Sequence, residues 1–241
     1  MNLCMAHRGW SGRAPENTMA ALKLAATEPG IDAMEFDVQL SKDGVPVLIH
    51  DYTVNRTTNG SGFVKDLTVE QLRQLDAGSW FGSAFAGEKI PLLEEVLTEL
   101  KGTIKLNIEL KTAGDYYPGL EQKVIELIHR HEMQGQVSIT SFNHESIKRV
   151  HEIDPSMETG LIIYGQPTLI REQLEHTGAS ILSMDYHYLT KPFVTSFIEA
   201  GYKVIAWTID DEESIQQVME FHPDLQICSN HPDRMLRLQQ K

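Results

Sequence analysis

Short apolar runs rich in β-branched residues alternate with stretches of helical periodicity along almost the whole chain, as expected of a parallel sheet wrapped by helices. These runs predict strands near 3–7, 33–38, 104–109, 137–141, 158–163, 180–184, 203–207 and 225–228. Spacing of about 3.6 residues predicts helices near 17–28, 91–100, 118–132, 143–153, 168–177, 190–200, 211–222 and 232–240. Asn143 and Thr190 stand at expected N-caps, and Pro192 falls in a first turn, where its missing N–H has no partner to lose. Eight strands and eight helices predict an α/β fold, the (β/α)8 TIM barrel. An open doubly wound sheet shows the same alternation, because periodicity does not report closure.

Two segments interrupt the pattern. The run Pro46-Val47-Leu48-Ile49-His50 follows the second strand after only Ser41-Lys42-Asp43-Gly44. That turn is too short for a crossover helix, so the run must return antiparallel as a hairpin. Residues 51–90 are rich in Gly, Thr, Asn and Asp, with one short helix expected near 68–75 behind Thr68, and long loops of this kind are usually functional. The chain, 1–241, reads as a single domain with 51–90 inserted after the second strand.

Polar residues matter most where they break an apolar run at a strand's C-terminal end, since barrel chemistry gathers there. Glu35 and Asp37 lie two apart in a strand and share one face, while Met34, Phe36 and Val38 take the other. The third strand places Asn107, Glu109 and Lys111 together in the same way, the first ends in His7-Arg8-Gly9, and the hairpin delivers His50-Asp51. Adjacent buried carboxylates need a cation. Oxygen ligation by Glu35, Asp37 and Glu109 suits one hard divalent ion, Mg²⁺ or Ca²⁺, better than zinc; the same acids are also compatible with an ionic network inside the barrel. A metal with Arg8 and Lys111 would offset the charge of a phosphodiester. His7 and His50 would serve as proton acceptor and donor in an order the sequence leaves open. Trp207 ends a strand at the mouth, where it can pack against a bound ligand or into the core. His129 and His131 sit on a solvated helical face, and His144, His151, His176, His222 and His231 have no acidic residue at useful spacing.

A formal charge of −13 argues against nucleic acid and anionic membrane as partners and confines any anion to a locally positive spot. No P-loop, G-x-G-x-x-G, C-x-x-C or G-x-S-x-G occurs. Strand-like sequence begins at Leu3 without a leader pattern, and no run approaches a membrane span, so cytoplasmic residence without stable membrane association is expected. Cys4 and Cys228 fall in buried strands and are expected to be free thiols. Oligomeric state leaves no mark in the sequence.

The ordered set His7-Arg8-Gly9, Pro15-Glu16-Asn17-Thr18, Glu35-x-Asp37, Asp43-Gly44, His50-Asp51, Glu109-Leu110-Lys111, Ser141-Phe142 and Trp207-Thr208 resembles the glycerophosphodiester phosphodiesterases over nearly the whole chain. The resemblance implies a TIM barrel with a small insertion, a divalent metal on Glu35, Asp37 and Glu109, and acid/base work by His7 and His50. It further implies phosphate contact by Arg8 and Lys111. The implied substrate is a small glycerophosphodiester, hydrolysed to sn-glycerol 3-phosphate and an alcohol. The chain departs from the family pattern at Asp210, where Asn is common, and at Cys228-Ser229-Asn230-His231-Pro232, where Ile-Thr-Asp-x-Pro is usual.

Overall fold

The computed structural model describes residues 2–240. Eight strands pair side by side in parallel: β1 (Leu3–His7), β2 (Ala33–Leu40), β4 (Lys105–Leu110), β5 (Val137–Ser141), β6 (Glu158–Ile163), β7 (Ile181–Asp185), β8 (Lys203–Trp207) and β9 (Gln226–Ser229). β9 pairs with β1 and β1 with β2, which closes the barrel and excludes the open sheet. The remaining strand, β3 (Pro46–Leu48), runs antiparallel to β2 as the short turn required. Gly44 sits in that turn at φ +76°, a region that side chains with a Cβ disfavour.

Helices α1 (Met19–Ala26), α3 (Leu93–Leu100), α4 (Leu120–Arg130), α5 (His144–Ile153), α6 (Ile170–Thr177), α7 (Lys191–Glu199), α8 (Glu212–Met219) and α9 (Pro232–Gln239) cover the outside. Asn143 and Thr190 cap α5 and α7, and Pro192 lies in the first turn of α7. Thr68 caps the short α2 (Val69–Gln74) with a reciprocal bond from its own N–H to the Gln71 side chain. The first helix, expected from about residue 17, begins at Met19 with Thr18 as its cap.

Strand alternation divides the core. Met34, Phe36 and Val38 face outward and join the main apolar layer between sheet and helices, while Met5, Ala33, Ile181, Ile205 and Cys228 form an apolar floor within the barrel. Cys4 and Cys228 are both buried and free. They lie in different clusters, Cys4 in a register one residue from Cys228, so their side chains leave the sheet on opposite faces. The segment 51–90 lacks the barrel's alternation because it builds its own small core, in which Val54, Val64, Leu72 and Ala77 pack with Val47, Ile49 and Ile90. Among the described residues no helix is long and apolar enough to cross a membrane.

Candidate active site

Register carries the polar residues to one end of the barrel. His7 is level with Glu35, which is level with Asn107; Asp37 is level with Glu109 one step nearer the mouth. Glu35, Asp37 and Glu109 are all buried and offer carboxylate oxygens within 4.8 Å of one another. Glu35 Oε1 and Asp37 Oδ1 accept no hydrogen bond, and Glu109 Oε1 meets only the Lys111 ammonium among the described residues, a costly arrangement for buried carboxylates. Three acids with spare oxygen lone pairs fit a hard divalent cation.

Arg8 and Lys111 balance this charge in part. Lys111 Nζ lies 2.8 Å from Glu109 Oε1 and 3.6 Å from Asp37 Oδ1. The Arg8 backbone turns into the left-handed region, φ +56°, and its N–H donates to Glu35 Oε2 at 3.0 Å. Its guanidinium donates to Glu16 and lies 3.4 Å from Asp37. Gly9 follows at φ +72°, so close to α1 that a Cβ would lie 2.6 Å from the Ala21 carbonyl carbon. Only glycine admits the loop there.

Charge is shared unevenly. Burial and the neighbouring carboxylates push Glu35 well above its ordinary value, and burial with Asp37 beside it raises Glu109 to about 7. Asp37 resists its own burial because Arg8, Lys111 and a hydrogen bond from Asn17 hold it at about 2. Asn17 grips Asp37 twice: Nδ2 donates to Oδ2 at 2.8 Å, and Oδ1 accepts the Asp37 N–H at 3.0 Å.

Both histidines reach the same pocket, which Glu35, Glu109, Arg8, Lys111, Phe142 and Trp207 also line. His7 Nδ1 bonds Asn230 Oδ1 at 2.8 Å and its Nε2 lies 3.7 Å from Glu35; burial, with Arg8 beside it, lowers it to about 4. His50 Nδ1 bonds Asp51 at 2.7 Å, and burial outweighs Asp37 and Asp51 to lower its pKa too. Asp51 thus orients His50 and, through Arg56, ties the insertion to Glu16. Trp207 stands at the rim in edge-on contact with Phe142, ring centres 5.7 Å apart, and Tyr164 lies against it at 6.5 Å.

Every site residue expected from the sequence therefore converges, and some partners emerge only in three dimensions. Gln39 is fully buried on the face of Glu35 and Asp37, with its amide within hydrogen-bonding distance of the carbonyls of Ile49, His50 and Asp51. Its signal was present: Glu35-x-Asp37-x-Gln39 extends the polar alternation by one more step. Arg56 and Asn230 gave no such sign. His129 is not merely solvated; it bonds Asp154, 25 residues away.

Comparison with known proteins follows the same lines. The model of the glycerophosphoryl diester phosphodiesterase family matches residues 7–234. The chain is 41% identical over 244 residues to a glycerophosphodiester phosphodiesterase of Caldanaerobacter subterraneus subsp. tengcongensis, covering 99% of this chain and 98% of that one. It superposes on an Oleispira antarctica phosphodiesterase, solved in complex with the product sn-glycerol-3-phosphate, with a TM-score of 0.92 and 33% identity, over 100% of this chain and 98% of that one. A glycerophosphodiester phosphodiesterase from Agrobacterium tumefaciens gives a TM-score of 0.84 at 30% identity, over 98% of this chain and 100% of that one.

Proposed function

The chain belongs to the glycerophosphoryl diester phosphodiesterase family and is an enzyme of that activity, and we propose that it splits small glycerophosphodiesters into sn-glycerol 3-phosphate and an alcohol by two-histidine acid/base catalysis. One observation carries the mechanism: His7, His50, Arg8 and Lys111 line one pocket at the C-terminal ends of the strands with Glu35 and Glu109, and Asp37 lies within 4.8 Å of both acids. Glu35, Asp37 and Glu109 are the residues that would hold a divalent cation, Mg²⁺ or Ca²⁺, which would supply positive charge against the phosphate oxygens. Arg8 and Lys111 add fixed positive charge that strengthens as charge builds on the phosphate in the transition state.

One imidazole takes the proton of the attacking water or hydroxyl and the other gives a proton to the leaving alkoxide, water being consumed overall. His50 is held for this by Asp51 and by the backbone grip of Gln39, His7 by Asn230. Trp207 and Phe142 form an apolar wall suited to the glycerol backbone. In this proposal residues 1–241 act as one cytoplasmic catalytic domain on a dissolved substrate, with 51–90 contributing Asp51 and Arg56 beside His50.

The test is hydrolysis of glycerophosphocholine followed by phosphorus NMR, with and without chelator. Glycerol 3-phosphate formed only with the cation present is the expected result. Undiminished turnover after thorough chelation would remove the metal from the mechanism, and a cyclic phosphate product would replace the hydrolysis with a transfer to an internal hydroxyl.

A further inference from the structure

Asp210 follows β8 and Asn230 follows β9, and neither lines the pocket. They are nonetheless joined to it by a chain of hydrogen bonds with defined direction. Asn230 Nδ2 donates to Asp210 Oδ2 at 2.7 Å, while the Asn230 N–H and the Ser229 hydroxyl donate to Asp210 Oδ1 at 2.8 and 3.0 Å. On its other side, Asn230 Oδ1 meets the Ser11 hydroxyl at 2.7 Å and His7 Nδ1 at 2.8 Å.

The donors and acceptors admit one assignment. An ionised carboxylate only accepts, so the amide must turn its NH₂ to Asp210 and its carbonyl to His7. A carbonyl also only accepts, so His7 Nδ1 must carry the hydrogen. In the neutral ring the lone pair then lies on Nε2, the nitrogen on the Glu35 side, 3.7 Å from Glu35 Oε2.

Resting on the two-histidine chemistry above, we propose that Asp210 is a positioning residue that acts through Asn230 to hold His7 in its Nδ1–H tautomer, leaving Nε2 free to accept a proton from the substrate side. The carboxylate touches neither His7 nor the pocket. Its effect is to forbid one of the two orientations of an amide, and through that amide one of the two tautomers of an imidazole.

D210N tests this without untying the strand ends. The amide introduced at position 210 keeps an oxygen for the Asn230 N–H and the Ser229 hydroxyl, but presents its NH₂ to Asn230 and turns that side chain over. Asn230 Nδ2 then faces His7 Nδ1, which must accept, and the hydrogen moves to Nε2. Long-range ¹H–¹⁵N correlation spectra of the imidazoles, recorded with Mg²⁺ and after chelation, should show Nδ1–H for His7 in the wild type and Nε2–H in D210N. In D210N, kcat for glycerophosphocholine should fall by about tenfold or more with little change in KM. The double exchange D210N/N230D puts the carboxylate against His7 and the amide behind it, and should restore both the Nδ1–H spectrum and most of kcat.

The same His7 tautomer in wild type and D210N overturns the proposal, as does D210N with full kcat or a double exchange that fails to recover while remaining folded. A wild type without hydrolytic activity sinks the proposed function and, with it, any catalytic use of the relay. The spectra alone decide the hydrogen-bond assignment.

Discussion

Gln39 places its side-chain amide 2.9 Å from the His50 carbonyl, and its own Oε1 accepts the Tyr117 hydroxyl at 2.6 Å. A residue near the C-terminal end of β2 thereby fixes the segment that carries a candidate catalytic imidazole. Replacing it with leucine takes the partner from the buried Ile49 carbonyl and the buried Tyr117 hydroxyl, which costs about 1–3 kcal/mol for each such group. Gln39→Leu is expected to lower the melting temperature by several degrees and to reduce kcat, since His50 loses its tether. Melting by circular dichroism and steady-state kinetics read the two effects; unchanged kinetics would mean that Asp51 alone suffices to place the ring.

Glu109→Gln should move stability and activity in opposite directions. Three buried carboxylates share the two fixed cations Arg8 and Lys111, and removing one acid eases their mutual repulsion. Cation-free protein is expected to melt higher in the variant, while hydrolysis falls to near background because a proposed cation ligand has gone. Scanning calorimetry with chelator, set beside an activity assay with Mg²⁺ or Ca²⁺, checks both; a lower melting temperature in the variant would show that the acids are not in conflict.

The pH dependence of the cation-free protein follows from the raised carboxyls. Glu109 at about 7 and Glu35 above its ordinary value hold protons in the folded state that the unfolded chain has released. A carboxyl raised on folding adds stability that is complete below its unfolded pKa and is lost as pH rises through its folded value. His7, lowered to about 4, has the opposite slope, but only below the unfolded imidazole value of about 6.5. Between about pH 6.5 and pH 8 the carboxyls set the sign, so stability in chelator should fall as pH rises. Saturating divalent cation replaces those protons and should flatten or reverse the trend, with binding accompanied by proton release. Melting temperatures across this range, with and without cation, provide the measurement.

Removing either imidazole tests the proposed proton transfers. His7→Ala and His50→Ala are each expected to cut kcat by about 10²–10⁴-fold with little change in secondary structure. Asp51→Asn should cost less, because the amide oxygen still accepts from His50 Nδ1–H although the charge that Arg56 neutralises is lost. Activity of Asp51→Asn below that of His50→Ala would show that Asp51 does more than orient the ring.

The sequence alone determined the strands, the helices and the faces on which Glu35, Asp37, Glu109 and Lys111 project. These follow from backbone alternation and helical spacing, which act over a few residues and leave a periodic trace. Local caps such as Thr68 and Asn143 were legible for the same reason. Whether the sheet closes depends on β1 meeting both β2 and β9, a consequence of accumulated strand tilt that no single segment records. Tertiary structure also decided that Asn17 clamps Asp37, that Arg56 bridges Glu16 and Asp51, and that Asn230 stands behind His7. In each case a flexible polar side chain finds its partner across the barrel mouth, and only the packed strands settle which groups lie within hydrogen-bonding distance.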